Sequence, residues 1–269
     1  MKATIIKRVV YWIATALVAW EMALGAEWDL VYIPFVRDVM AHLHYPRYFA
    51  VIMGIWKIPA AIALLIPKFG RVKEWAYAGA IFLYTGAAIS HLSMGDTQPA
   101  IGPLVFAALT VISWATRPES RRFLPAGVSL KVATSKGRNA SYWTATLIIE
   151  FVLLSGGLAD IFHAAGAVDG MAHLGYPLYF TTLLGCWKIS GAIALLLPRF
   201  PRLQEWAYIG IFLDFTGAVA SHAFMGDNLA HLLWPLFFSL ITILSWGLRP
   251  SMAAQRAQIL ANGQLLITA

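Results

Sequence analysis

Long apolar runs dominate the chain, and they fall into two sets of four. Stretches 9–25, 48–66, 75–92 and 100–116 form the first set. After a polar, basic interval, 143–157, 179–197, 206–223 and 229–248 form the second. A run of roughly 18 apolar residues, rising about 1.5 Å per residue, is long enough to cross a hydrocarbon layer roughly 30 Å thick. Backbone polar groups in lipid must be satisfied within the segment, so the pattern predicts helices and not open sheet. The intervals 27–44 and 158–175 are too short and too polar to cross, which predicts loops or short interfacial helices there.

The two sets are copies of one another. Met40 to Asp96 recurs at Met171 to Asp227 with a constant offset of 131 positions and no gap, and more than half of the positions are identical. HLHYPRYF matches HLGYPLYF, IWKIPAAIALLIPKFGRVKEWAY matches CWKISGAIALLLPRFPRLQEWAY, and TGAAISHLSMGD matches TGAVASHAFMGD. The register extends back to Tyr11-Trp12 against Tyr142-Trp143 and, after a shift of one residue, forward to SWATRP against SWGLRP. A duplication of this extent means two copies of one structural unit. It predicts a first unit over 1–118, a basic linker over 119–140, a second unit over 141–251 and a C-terminal tail over 252–269.

Composition changes the picture only by fixing the class. Hydrophobic residues make up 59% of the chain and charged residues 12%, too apolar for a soluble domain. The fold class expected is all-α integral membrane, two repeated four-helix bundles with eight crossings. All Lys and Arg except Arg37, Arg47, Lys57 and Lys188 fall on one side of this topology. By the positive-inside rule both termini are then cytoplasmic, in a bacterial-type inner membrane. An even number of crossings per unit gives parallel repeats related by a pseudo-twofold axis along the membrane normal. The net charge of +7 is therefore a topology signal, and no basic-aromatic nucleic-acid motif accompanies it. Lys2, Lys7 and Arg8, the apolar stretch and Leu24-Gly25-Ala26 resemble a cleavable leader. Because Tyr11-Trp12 has an internal counterpart, the segment is read instead as a retained first helix. The single Cys186 excludes an internal disulfide framework.

The strings HLGYPLYF, WK within a helix, PRFPRLQEWAY and TGAVASHAFMGD resemble the DoxX-like family of small four-helix membrane proteins, over nearly all of each half. The usual member is a single unit, and this chain resembles two fused ones. The resemblance implies association with membrane redox systems, since relatives include a subunit of a thiosulfate:quinone oxidoreductase and proteins linked to oxidative-stress complexes.

Polar residues within the apolar runs are the candidate chemistry. Lys57 and Lys188 each lie ten residues before a proline, Pro67 or Pro198, that closes the helix. At about 1.5 Å per residue that is about 15 Å in, near the midplane. A charge there costs at least about 2.5–3.5 kcal/mol unless paired or hydrated. By the same count Glu150 and Asp214 lie at the depth of Lys188, so Lys188, Glu150 and Asp214 are expected to cluster. The first copy has Ala19 and Leu83 at those positions, and its nearest carboxylate is Glu21. This divergence predicts a second unit with the more active polar site and a mainly structural first unit, with a stability-only ion pair as the alternative. Small residues at Gly54, Ala60, Ala61, Gly185, Ser190 and Gly191 favour close helix contact.

Ser90, His91 and Asp96 at one outer end, and Ser221, His222 and Asp227 at the other, should share one membrane face with His42 and His173. Such a set caps the neighbouring loops, relays protons, or holds a metal or haem. The spacing matches no compact metal motif. At the inner face, RVKEWAY and RLQEWAY place Glu74 and Glu205 in the first turn of a helix and Trp75 and Trp206 in the aromatic belt, which reads as anchoring. No P-loop, GxGxxG, CxxCH or nucleophile elbow is present. Three functions stay open. The first is a redox-associated component that binds a quinone or similar hydrophobic ligand near the buried Lys/carboxylate site, alongside a membrane redox partner, with haem or metal ranking behind quinone. The second is a noncatalytic scaffold or assembly factor, and the third a proton-coupled small-molecule transporter.

Overall fold

The computed structural model describes residues 2–122, 136–197 and 200–249. The core of the expected linker (123–135), Pro198 and the tail (252–269) lie outside the described residues. Ten α-helices and one 3-10 turn, Glu119–Arg121, make up the described residues, with no strand among them. The first copy holds α1 (Lys2–Val31), α2 (Pro34–His42), α3 (Arg47–Leu65), α4 (Gly70–Ser93) and α5 (Thr97–Thr116). The second holds α6 (Lys136–Ile161), α7 (Ala165–His173), α8 (Leu178–Leu195), α9 (Pro201–Met225) and α10 (Leu229–Leu248).

Helices α1 (from Ile5), α3, α5, α6 (from Gly137), α8, α9 and α10 are long and apolar enough to cross a membrane, so the chain is a multi-pass membrane protein in contact with lipid. Their outward side chains, such as Trp20, Phe151 and Trp234, are exposed as lipid contact requires. Helix α4 is as long, but it carries Arg71, Lys73 and Glu74 in its first turns and Ser90, His91 and Ser93 at its end, which lowers its apolarity.

Each interval read as a loop or short interfacial helix holds a short helix, preceded by an extension of the long helix before it. Helix α1 runs on to Val31, and the chain then re-enters a nine-residue helix with Pro34 in its first turn, where a missing N–H costs nothing. In the second copy α6 likewise runs on to Ile161, and the nine-residue α7 follows without a proline. The polar residue that made these stretches look interfacial, Asp29 or Asp160, is buried because it has a partner on α3 or α8.

Within the first copy α1 packs on α3 and α5, and α4 packs on α3 and α5. The second copy repeats this with α6, α8, α9 and α10. A polar knot ties each set together. Ser113 Oγ is hydrogen-bonded to Thr15 Oγ1 and to Tyr77 Oη, both at 2.7 Å, and Ser245 Oγ to Thr146 Oγ1 and Tyr208 Oη, both at 2.8 Å. These small hydroxyls satisfy one another where water is excluded.

The copies meet through α3, α4, α8 and α9, and the contacts recur with the copies exchanged. At the end that bears the Met-Gly-Asp turns, here termed outer, Tyr48 Oη donates to the Leu174 carbonyl at 2.5 Å, and Tyr179 Oη to the Leu43 carbonyl at 2.7 Å. In the middle Trp187 packs on Phe82, and Trp56 on Phe212. At the opposite end, here termed inner, Glu74 and Glu205 have no exposed surface. Glu74 accepts from Arg117 Nη2 at 2.8 Å, from Trp114 Nε1 at 2.9 Å and, across the interface, from Trp206 Nε1 at 3.1 Å. Glu205 accepts from Arg249, from Trp246 Nε1 at 2.9 Å and, across the interface, from Trp75 Nε1 at 3.2 Å. The EWAY motif is thus a clamp between the copies, in addition to any anchoring at the membrane surface.

Glu74→Ala leaves the buried Arg117 without its counter-charge and should destabilise the protein by about 3–5 kcal/mol. Trp206→Phe, which removes one cross-copy hydrogen bond, should cost only about 0.5–1.5 kcal/mol. Melting in detergent, followed by intrinsic fluorescence, ranks the two variants.

Candidate functional site

Lys57 is the eleventh residue of α3 and Lys188 the eleventh of α8, so each ammonium leaves the middle of its helix. Lys57 Nζ donates to Asp29 Oδ2 at 2.7 Å, and Lys188 Nζ to Asp160 Oδ2 at 2.8 Å. The approach depends on glycine. A Cβ on Gly54 would lie 3.1 Å from both the Ala26 carbonyl and Asp29 Cβ. One on Gly185 would lie 2.8 Å from the Gly157 carbonyl and 2.9 Å from Asp160 Cβ. With hydrogen at that position, α1 and α3, like α6 and α8, close to the spacing at which lysine reaches aspartate.

Each lysine also has a second carboxylate, supplied by a different helix in each copy. In the second copy Asp214 Oδ2, on α9, is 3.9 Å from Lys188 Nζ. In the first copy it comes from α1: Tyr84 donates a hydrogen bond to Glu21, and a Cβ on Gly25 would sit 3.0 Å from Lys57 Nζ and 3.2 Å from Glu21 Oε1. Where the first copy has Glu21, Leu83 and Tyr84, the second has Val152, Asp214 and Phe215. The exchange conserves the composition of the site, one ammonium with two carboxylates. The contrast expected between an active second unit and a structural first unit is therefore not a difference in the number of charged groups. Glu150 stands apart from the cluster anticipated for it. It is buried, and neither carboxylate oxygen has a hydrogen-bond partner.

The outer set assembles as one unit per copy. His42 Nε2 lies 2.6 Å and His91 Nδ1 3.3 Å from Asp96 Oδ2. His173 Nε2 lies 2.8 Å from Asp227 Oδ1, and His222 Nδ1 2.6 Å from Asp227 Oδ2. The chain can return onto His91 because Gly95 adopts φ +84°, and onto His222 because Gly226 adopts φ +72°, the left-handed helix ending that glycine permits. The backbone closes the same turn, Asp96 N–H donating to the His91 carbonyl at 2.9 Å and Asp227 N–H to the His222 carbonyl at 3.1 Å. Hydrogen bonds from His42 first, and then His91, hold the Asp96 carboxyl below the usual carboxylate range; His222 and then His173 do the same for Asp227. Ser90 Oγ is hydrogen-bonded to Tyr45 Oη, and Ser221 Oγ to Tyr176 Oη, both at 2.8 Å. Among the described residues no group of three or more His, Cys, Asp or Glu is arranged to hold a metal ion.

Both copies open onto one cavity of about 820 Å³ at their interface. Lys57 and Lys188 line it, with Asp29 and Asp214, beside Trp56 and Trp187; its outer part is lined by Ser90, His91, Ser221 and His222. Its wall is otherwise mostly apolar. A hydrophobic molecule would meet aromatic faces there together with a small number of charged and hydrogen-bonding groups, the usual makeup of a ligand site. The residues that the sequence reading passed over are Asp29 and Asp160. Their signal was present, because each precedes its lysine by 28 residues in both copies.

The model of the DoxX-like family matches this chain twice, over residues 13–113 and 144–245, and the chain belongs to that family as a tandem duplication of its unit. No curated protein and no solved structure matches it.

Asp160→Leu should destabilise the protein strongly, by about 3–5 kcal/mol, because it strips the buried Lys188 of its nearest carboxylate. Adding Lys188→Met should recover much of that loss. Melting of both single variants and the double closes the cycle, with a coupling of about 1–3 kcal/mol. The outer carboxyls give a pH signature. Their folded-state values are depressed, so their contribution is complete above the ordinary carboxylate range, about pH 4, and is lost as the pH falls below it. Asp96→Asn with Asp227→Asn should flatten the melting profile in that acid range alone.

Proposed function

We propose that this member of the DoxX-like family is a redox-associated membrane component that binds a quinone or similar hydrophobic ligand in the cavity between its two copies. In this reading α4 crosses the membrane with the other seven long helices. Two four-helix bundles over 1–118 and 141–251 then stand as parallel repeats about an axis along the membrane normal. Both termini lie in the cytoplasm, since the basic ends of α4 and α9 and the residues around 117–122 share that side.

The observation that carries the reading is the common cavity, apolar and aromatic over most of its wall, with two lysine–carboxylate clusters set into it. A quinone supplies two-electron, two-proton chemistry when bound, and the electrons pass to or from a membrane partner. The chain's own part is to hold the ring and manage its protons. Trp56 and Trp187 offer flat faces for the ring. Lys57 and Lys188 are the ammonium donors placed to bond carbonyl oxygens. Asp29 with Glu21, and Asp160 with Asp214, are the carboxylates beside those ammonium groups and serve as proton acceptors. A mostly apolar wall strengthens these interactions by excluding water.

The test is a titration of the purified protein in nanodiscs with decyl-ubiquinone, read by quenching of tryptophan emission. Saturable quenching is expected in the wild type. Loss of at least about tenfold in affinity, equivalent to about 1.4 kcal/mol, is expected for Lys57→Met with Lys188→Met. Melting temperature verifies that the variant is folded. Quenching that never saturates counts against ligand binding and turns the reading toward a scaffold. Retained affinity in the lysine variant removes the ammonium groups from the site.

A further inference from the structure

The cavity reading leaves the outer histidines without a task. We infer that the two His–Asp–His clusters are proton routes joining the cavity to the outer aqueous phase. Each runs from a ring at the surface to a ring in the cavity wall. The side chains of His42 and His173 are 52% and 53% exposed. Those of His91 and His222 are 12% and 19% exposed, and both line the cavity. Asp96 and Asp227 bridge the rings in each copy, so donors and acceptors are unbroken from water to cavity.

A capping role accounts for less of this geometry. The turn after α4 is already closed by the backbone bond from Asp96 to the His91 carbonyl, and the turn after α9 by that from Asp227 to the His222 carbonyl. His42 and His173 are the last residues of the short helices α2 and α7, which are separate elements. That the same ring is delivered to the same carboxylate from a second helix in both copies is what a relay requires.

The neighbouring groups suit the role. Tyr45 and Tyr176, bonded to Ser90 and Ser221 on the cavity wall, are pushed well above the usual phenol range by burial, so they remain neutral hydroxyls and do not compete for the proton. In the second copy the His231 ring stands 5.5 Å from that of His222, held by Asn228. At the opposite end the two carboxylates Glu74 and Glu205 are fully buried and held by tryptophans and arginines, so neither meets water there.

One passage moves one proton and consumes nothing. A proton released in the cavity is taken by the ring nitrogen of His91 not bonded to Asp96. The imidazolium gives its Nδ1 proton to Asp96, which passes it to Nε2 of His42 in the tautomer protonated at Nδ1; His42 then releases its Nδ1 proton to water, and rotation of both rings restores the starting tautomers. His173, Asp227 and His222 do the same in the second copy. Reversed, the sequence supplies protons from outside. The purpose of the routes rests on the ligand reading, but their existence is tested without any ligand.

The experiment is a stopped-flow pH jump on the ligand-free protein, from about pH 7.5 to about pH 5.5, across the range where histidine changes charge. Cavity protonation is read as the tryptophan emission change that is absent from the Trp56→Phe/Trp187→Phe variant. Asp96→Asn with Asp227→Asn keeps hydrogen-bonding capacity but carries no proton. It should slow the relaxation at least about tenfold, as expected when a proton carrier is removed, with its final amplitude unchanged. His91→Gln with His222→Gln should do the same. In oriented proteoliposomes only a jump on the outer side should evoke the fast phase. Wild-type rates in both variants, a fast response to an inner jump, or no cavity response in the wild type would each overturn the inference. Failed quinone titration beside a fast, aspartate-dependent relaxation would leave the routes standing and remove only the ligand assigned to them.

Discussion

A carboxylate with no exposed surface is tolerable only where its partners surround it. The structure depends on two of these. Glu74 is completed by Arg117 and Trp114 of its own copy and by Trp206 of the other, and Glu205 by Arg249, Trp246 and the opposite Trp75. Each glutamate takes an arginine and an indole from its own copy and one further indole from the other, so the group that closes each bundle also ties the copies together. The crossing indoles fix the inner edge of the interface, and the crossing Tyr48 and Tyr179 bonds fix the outer edge. Held at both rims, the copies leave the aromatic middle open, and that opening is the cavity.

The polar groups along the membrane normal then follow a gradient. At the inner rim both glutamates are fully buried and bonded through both oxygens. In the middle each lysine has one close aspartate and one looser carboxylate, an arrangement in which an ammonium can change partners. At the outer rim histidines meet water. Charge is buried most tightly where the copies are clamped together and least where the histidine rings reach the surface. Gly54 and Gly185 serve this gradient by bringing backbone against backbone at the lysine level.

Divergence between the copies illustrates how such a site can drift without losing its chemistry. The second carboxylate is Glu21 on α1 in the first copy and Asp214 on α9 in the second, while Asp29 and Asp160 are shared. Glu150 has no counterpart in the first copy and no partner in the second. Depth along a helix placed it beside Lys188, but depth says nothing about direction around the helix axis. In the folded chain Asp160 and Asp214 are the residues that point to the lysine.

Much was determined by the sequence itself. The duplication, the apolar runs, the two mid-helix lysines and the grouping of Ser90, His91 and Asp96 with their repeat mates on one face all follow from period, spacing and the length a bilayer demands. Those are properties of one segment or of two segments at fixed offset. Only the tertiary structure decided which carboxylate meets which lysine, that α1 and α6 continue through a polar stretch, and that Glu74 and Glu205 belong to a clamp between copies. Each of these depends on the rotation of one helix against another, and so on atoms far apart in the chain. A buried aspartate and an interfacial one look identical in sequence until the partner that neutralises the first is in place.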